Sequence, residues 1–203
     1  MIDSYLTIEK PASSRVTRKR SRFLGYVYPA TSSEEIEELL SELKRSHHDS
    51  SHVCFAYRLM AEGREKSRAD DAGEPAGSAG PSILRQLEAA KLYDVLGAVV
   101  RYFGGSKLGF GGLMRAYSDT MKSALDEAEI VRRDCRVRLQ VRFPLELVSA
   151  VMRLVHRHGT KVESVDYDRD AQVVVSLAPS RLRRFTEELK EATGARAVVE
   201  EVA

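Results

Sequence analysis

Between Arg101 and Tyr117 the chain reads RYFGGSKLGFGGLMRAY, with five glycines in the nine residues 104–112. A short apolar run, Val95 to Val100, leads into this segment. Downstream, Leu113, Tyr117, Met121, Leu125 and Ala128 recur at the spacing of one helix face. Glycine is costly inside regular structure and is tolerated where the backbone needs positive φ or close approach. The segment therefore reads as strand, glycine loop, helix. The first turn of such a helix presents unbonded N–H groups at the positive end of the macrodipole, which suits an anion. Arg101, Lys107 and Arg115 surround the loop, so these three cations with Gly109, Gly111 and Gly112 form the candidate phosphate- or nucleic-acid-binding set.

The spacing excludes two familiar phosphate cradles. Gly109-Phe110-Gly111-Gly112 continues into Leu-Met-Arg and does not complete a dinucleotide fingerprint. Lys107 is followed by Leu108, so the metal-binding hydroxyl of a nucleotide-triphosphate loop is missing. Arg115 falls in the first turns of the helix, where the dipole disfavours a cation by about 0.3–1 kcal/mol. A bound anion removes that conflict; so does pairing with Asp119 at i+4.

A second candidate group precedes the loop. Asp70, Asp71 and Glu74 place three carboxylates within five residues of a Gly/Ala/Ser-rich stretch, and His52 opens a strand-like run. Carboxylates so placed serve as bases, as ligands for a hard cation, or as partners of Arg101, Lys107 or Arg115. The pairing role is favoured, so these four residues are read as a supporting loop. His47, His48, His52 and Cys54 match no zinc spacing. No metal or cofactor is expected, and no catalytic residue is assigned.

Apolar residues make up 43% of the chain and charged residues 31%, the balance of a folded water-soluble protein. No apolar run approaches the roughly 20 residues of a membrane span, and no signal peptide is evident. Two cysteines outside any CxxC pair fit a reducing cytoplasm, with no membrane partner. A net charge of +2 hides basic clusters, residues 15–22 and 132–142, that are compatible with a polyanion.

Residues 136–203 give the clearest pattern. Arg136–Phe143 alternates, Pro144 opens a helix lasting to Gly159, and Val162–Tyr167 and Gln172–Leu177 flank a turn. Ser180 then caps a helix closed by Gly194, and Ala197–Val202 ends the order β-α-β-β-α-β, the ferredoxin-like pattern. In the first part, Ser13–Val16 and Phe23–Tyr28 form a hairpin and a helix opens at Thr31-Ser32-Ser33-Glu34-Glu35. Val53–Met60 is a strand, residues 62–80 form one long loop, and Pro81 starts a short helix. The whole reads as α+β, with a two-layer α/β sandwich over residues 1–133, a linker at Arg132-Arg133-Asp134, and a second domain over 134–203.

Several islands occur together in order: Ser21-Arg22-Phe23, His52 to Tyr57, Gly73 to Gly80, Val99 to Gly105, and Leu108 to Tyr117. In these the chain resembles the IMPACT family. The resemblance implies an N-terminal domain similar to the second domain of ribosomal protein S5. For bacterial members it also implies a ferredoxin-like domain resembling one in elongation factor G. Two departures from the family pattern stand out: Ala72 separates Asp70-Asp71 from Gly73-Glu74-Pro75, and Pro81-Ser82 replaces a basic or polar residue followed by proline. The implied role is regulation of translation through RNA or the ribosome. The alternatives are an enzyme acting on a phosphorylated small molecule or nucleotide, and a protein-interaction module.

Overall fold

The computed structural model describes residues 2–61 and 64–202. The chain divides into two compact units, Tyr5–Arg133 and Asp134–Ala203, the latter joined by Met1–Ser4.

The first unit runs β1 (Ser4–Ile8), β2 (Ala12–Arg18), β3 (Ser21–Pro29), α1 (Ser33–Ser46), β4 (His52–Ala61), β5 (Arg64–Asp70), α2 (Gly80–Ala89), β6 (Val95–Tyr102), α3 (Phe110–Asp126) and β7 (Ile130–Asp134). Strands β2-β3-β6-β4-β5 form one antiparallel sheet in that order, while β1 and β7 form a separate pair. The turn between β2 and β3 is two residues, Lys19 and Arg20, at φ 44° and 67°. That is the left-handed conformation a tight hairpin requires. Helix α1 begins in a reciprocal cap: Glu35 N–H donates to Ser32 Oγ at 3.2 Å, and Thr31 N–H donates to the Glu35 carboxylate at 2.7 Å.

Strand β6 sits at the centre of the sheet, and its alternation sorts the core into two halves. Val95 and Val99 join Phe23, Val27, Cys54 and Ala56 beneath α2 and α3. Leu96, Ala98 and Val100 join Val53, Phe55 and Leu59 against Ile36, Leu40 and Leu43 of α1. The sheet is therefore covered on both faces, which corrects the two-layer reading. A central strand apolar at nearly every position has no solvent face to offer, and it needs helices on both sides.

Two further expectations change. Much of the loop read over residues 62–80 is strand β5, an edge strand with charged side chains and no apolar alternation; Glu62 and Gly63 lie outside the described residues. Charge on an edge blocks unwanted pairing and erases the pattern by which a strand is recognised. The linker at Arg132–Asp134 is part of β7, paired with β1, a strand that no sequence pattern announces.

Asp94 fastens several of these elements. It is 4% exposed, and its carboxylate accepts the Tyr5 hydroxyl and the Met60 N–H at 2.9 Å, with Arg133 at 3.8 Å. Thr7 Oγ1 and Ala30 N–H both donate to its carbonyl, at 3.2 and 3.0 Å.

The second unit contains β8 (Val137–Phe143), a single 3-10 turn (Leu145–Leu147), α4 (Val148–Arg157), β9 (Lys161–Tyr167), β10 (Ala171–Leu177), a second 3-10 turn (Pro179–Arg181), α5 (Leu182–Thr193) and β11 (Val198–Val202). The sheet order is β11-β8-β10-β9, antiparallel throughout. Leu139, Val141, Phe143, Val173 and Val175 pack against Val151, Leu154, Val155, Phe185 and Leu189 of the two helices. Gly194 closes α5 at φ 58°. Ser180 is not the helix cap: it lies inside the 3-10 turn, where its N–H and hydroxyl donate to the Asp3 carboxylate at 2.9 and 2.6 Å. A backbone donor and a hydroxyl on one carboxylate outcompete a local cap.

Replacing Asp94 with Ala removes the acceptor of the part-buried Met60 N–H and Tyr5 hydroxyl. Urea unfolding is expected to show a loss of about 2–3 kcal/mol. A loss under about 0.5 kcal/mol, the range of ordinary surface substitutions, contradicts the anchoring role.

Candidate functional site

Arg101 leaves β6 at the point where the glycine loop begins, and its side chain turns into the protein. Both Arg101 and Glu74 are buried, at 6% and 7% exposure. Arg101 Nη1 donates to Glu74 Oε1 at 2.5 Å, and the Tyr117 hydroxyl of α3 donates to the same oxygen at 2.8 Å. The guanidinium is also stacked, with its carbon 5.5 Å from the Phe23 ring centroid and 5.4 Å from that of Phe103. Arg101 Nε is buried without a hydrogen-bond partner. Strand β6, the 70–80 loop and helix α3 thus meet at one carboxylate.

The loop is shaped to deliver Glu74. Asp71 accepts N–H bonds from Gly77 at 2.7 Å, Ala79 at 2.8 Å and Gly80 at 2.9 Å. Burial acts to raise the Asp71 carboxyl, but these three donors outweigh it and hold it below the ordinary carboxylate value. Asp70 accepts from Ala72 N–H at 2.9 Å and Arg68 at 3.1 Å. His52 Nδ1 lies 2.9 Å from the Ala72 carbonyl, which only accepts, so Nδ1 carries the proton. Nε2 then lies 4.0 Å from Glu74 Oε1. Cys54 Sγ sits 3.0 Å from the Asp71 carbonyl and 3.4 Å from the Tyr117 hydroxyl, its one hydrogen serving either acceptor. Burial pushes the Cys54 thiol up to about 12, and the neighbouring carboxylates of Glu74, Asp71 and Asp70 add to the effect. Burial, reinforced by Cys54 and Glu74, likewise raises the Tyr117 hydroxyl.

Beside this pair opens a cleft of about 410 Å³, lined by His52, Glu74, Pro75, Arg101, Phe103, Lys107, Leu108 to Phe110 and Leu113. Phe103 and Phe110 stand at 51% and 53% exposure, unusual for large apolar rings. Helix α3 starts at Phe110 with Gly109 as N-cap, at φ 74° and with no side-chain cap. The amides of its first turn are left for another partner. Gly104 meets a different need. A Cβ there would collide with the backbone of Arg20, so glycine alone allows the loop to seat against the β2–β3 turn.

The structure thus gathers Arg101, Lys107, Gly109, His52 and Glu74 around one cleft. Asp70 and Asp71 lie behind it as loop supports. Gly111, Gly112 and Arg115 do not line it; Arg115 is exposed, one helical turn beyond Gly111. Asp119 pairs with Arg18 at 3.1 Å, so the i+4 partner considered for Arg115 is already engaged. Phe110 carries no role in the sequence reading, although an aromatic residue set among glycines at a helix start is a usable signal. No group of three or more His, Cys, Asp or Glu side chains is arranged for a metal among the described residues.

The Impact N-terminal domain model matches residues 19–125, more than half of the chain and most of the unit that holds this cleft. The chain belongs to the IMPACT family. It is 26% identical over 201 residues to the IMPACT family member YvyE of Bacillus subtilis (strain 168), covering 99% of this chain and 92% of that one. The IMPACT family member YigZ of Escherichia coli (strain K12) is 26% identical over 192 residues, 94% of each chain. A solved structure, described as the crystal structure of a hypothetical protein, superposes with a TM-score of 0.71 at 24% identity, covering 100% of this chain and 99% of its own. At that identity it speaks to the fold.

Removing one partner of a buried ion pair leaves the other charge uncompensated. Glu74→Ala is expected to cost about 3–5 kcal/mol in urea unfolding. Tyr117→Phe, which deletes one hydrogen bond to that carboxylate, should cost about 1.5–3 kcal/mol. Equal and small losses for the two variants contradict the arrangement. Because the folded-state value of Cys54 lies above the ordinary 9.0, its contribution to stability is intact below pH 9.0 and is lost as pH rises toward about 12. The native thiol should resist a disulfide reagent at pH 8 and react on unfolding. Rapid native reaction contradicts the burial of this thiol.

Proposed function

We propose that the first unit binds single-stranded RNA in the cleft, and that the protein acts in regulation of translation in the cytoplasm, on RNA or the ribosome. The observation that carries this reading is the pair of exposed rings, Phe103 and Phe110, flanking a cleft that also holds Lys107 and the uncapped start of α3. Exposed aromatics beside cations stack unpaired bases while the cations meet phosphates. The basic β2–β3 turn, Lys19 and Arg20, seats directly against Gly104 and extends the positive surface from the loop. Arg101 supports Phe103 from beneath rather than meeting phosphate, since its charge is neutralised by Glu74. Family membership supports the link to translation. In the same reading the first unit is similar to the second domain of ribosomal protein S5, and the second is ferredoxin-like in its β-α-β-β-α-β order.

The test is fluorescence anisotropy with a labelled single-stranded RNA of about twelve nucleotides. Wild-type affinity should fall as salt rises. Phe103→Ala with Phe110→Ala should weaken binding by about tenfold to a hundredfold, the worth of one or two stacked bases. Lys107→Ala should shallow the salt slope by about one. Binding indifferent to loss of both rings overturns the cleft as the RNA site. A mononucleotide binding as tightly as the oligonucleotide favours the small-molecule enzyme instead.

A further inference from the structure

We propose that the second unit carries a phosphate-group site of its own, in the pocket between the end of α4 and the turn that precedes α5. This pocket, about 410 Å³, is lined by Arg157, His158, Ser180, Arg181 and Arg184, with no carboxylate among the lining residues. It lies wholly outside residues 19–125, the part matched by the family model.

Three guanidinium groups from two different helix ends converge here, and each is tethered through a single nitrogen. Arg184 Nε donates to Glu188 Oε1 at 2.8 Å, and Arg157 Nη1 to Glu188 Oε2 at 3.4 Å. Arg181 Nη1 donates to the His158 carbonyl at 2.5 Å. A guanidinium carries five N–H donors in a rigid fork, so each of the three keeps donors on its other nitrogens. Gly159 makes room for one of them: a Cβ there would lie 3.0 Å from Arg181 Nη1.

The charges do not balance within the cluster. Two carboxylates touch it: Glu188, and Asp3, which occupies the Ser180 N–H and hydroxyl. Against three arginines they leave an excess of one positive charge before His158 is counted. Hydrogen bonds from Arg184 and from His158, whose Nε2 lies 3.1 Å from Glu188, hold that carboxyl down at about 2, so it stays ionised. An anion with several oxygens satisfies both the remaining donors and the excess charge, and phosphate matches the forked geometry of paired arginines. The group bound is a phosphate ester, either in an RNA backbone or on a small molecule.

The experiment titrates the full-length, 15N-labelled chain with inorganic phosphate and then with the single-stranded RNA. Saturable shifts at the backbone amides of Arg157, Ser180 and Arg184 are expected in the millimolar range. Arg157→Gln with Arg184→Gln, both side chains being largely exposed at 67% and 78%, should keep the fold and weaken phosphate binding by about tenfold. Displacement of phosphate by RNA identifies a backbone source. Phosphate that stays bound while RNA binds elsewhere identifies a small phosphorylated molecule, and both results uphold the site. Absence of saturable shifts, or identical binding by the double variant, overturns it. The Phe103 and Phe110 substitutions should leave phosphate binding unchanged, which separates failure here from failure of the cleft.

Discussion

The ion pair between Glu74 and Arg101 is the interaction around which the first unit's site is arranged. Taking two charges out of water costs several kcal/mol per ion, and attraction offsets it only when the remaining polar atoms are well bonded. Tyr117 supplies one of those bonds, and the rings of Phe23 and Phe103 enclose the guanidinium. The pair therefore requires β6, the Asp71-braced loop and α3 to be in register at once. It also decides the cleft's chemistry. Once Arg101 is neutralised, the floor has little net attraction for phosphate, while the mouth offers two aromatic faces and one exposed lysine. Such a surface suits bases first and backbone second.

Much of this architecture was legible in the sequence, and the failures have physical causes. The alternation in Val137–Phe143 and the helical spacing of Val151, Leu154 and Val155 exposed the second unit because each element there buries one clean face. The cap at Ser32 and the closure at Gly194 were visible for the same local reason. Strand β5 was hidden because an edge needs no apolar face, and β1 because its pairing with β7 joins segments more than a hundred residues apart. The third layer was implicit in the unbroken apolar run of β6, yet periodicity alone cannot say which helix covers which face.

The site was half legible. Glycines, cations and acids announced a special region, and pairing between the acidic loop and a basic residue was among the options. Which acid met which base depended on the fold: Asp71 turned inward to backbone amides, and Glu74 alone reached Arg101. Arg115, the residue whose position in the helix most asked for an anion, stands outside the cleft. Exposure of Phe103 and Phe110 could not be read from their neighbours, since the same residues would suit a core. Arg157, Arg181 and Arg184 look like solvated helix faces until the chain reversal at Gly159 and the turn at Pro179 bring them to one pocket. The two units thus differ in character, one offering aromatic surface over a neutralised pair, the other an excess of arginine.

The most direct measurement is two-dimensional NMR of the Phe103 and Phe110 ring protons as single-stranded RNA is added. Bases stacked on both rings predict upfield ring-current shifts at both residues that saturate together with binding. RNA that binds while both rings keep their free-state shifts would contradict base stacking in the cleft.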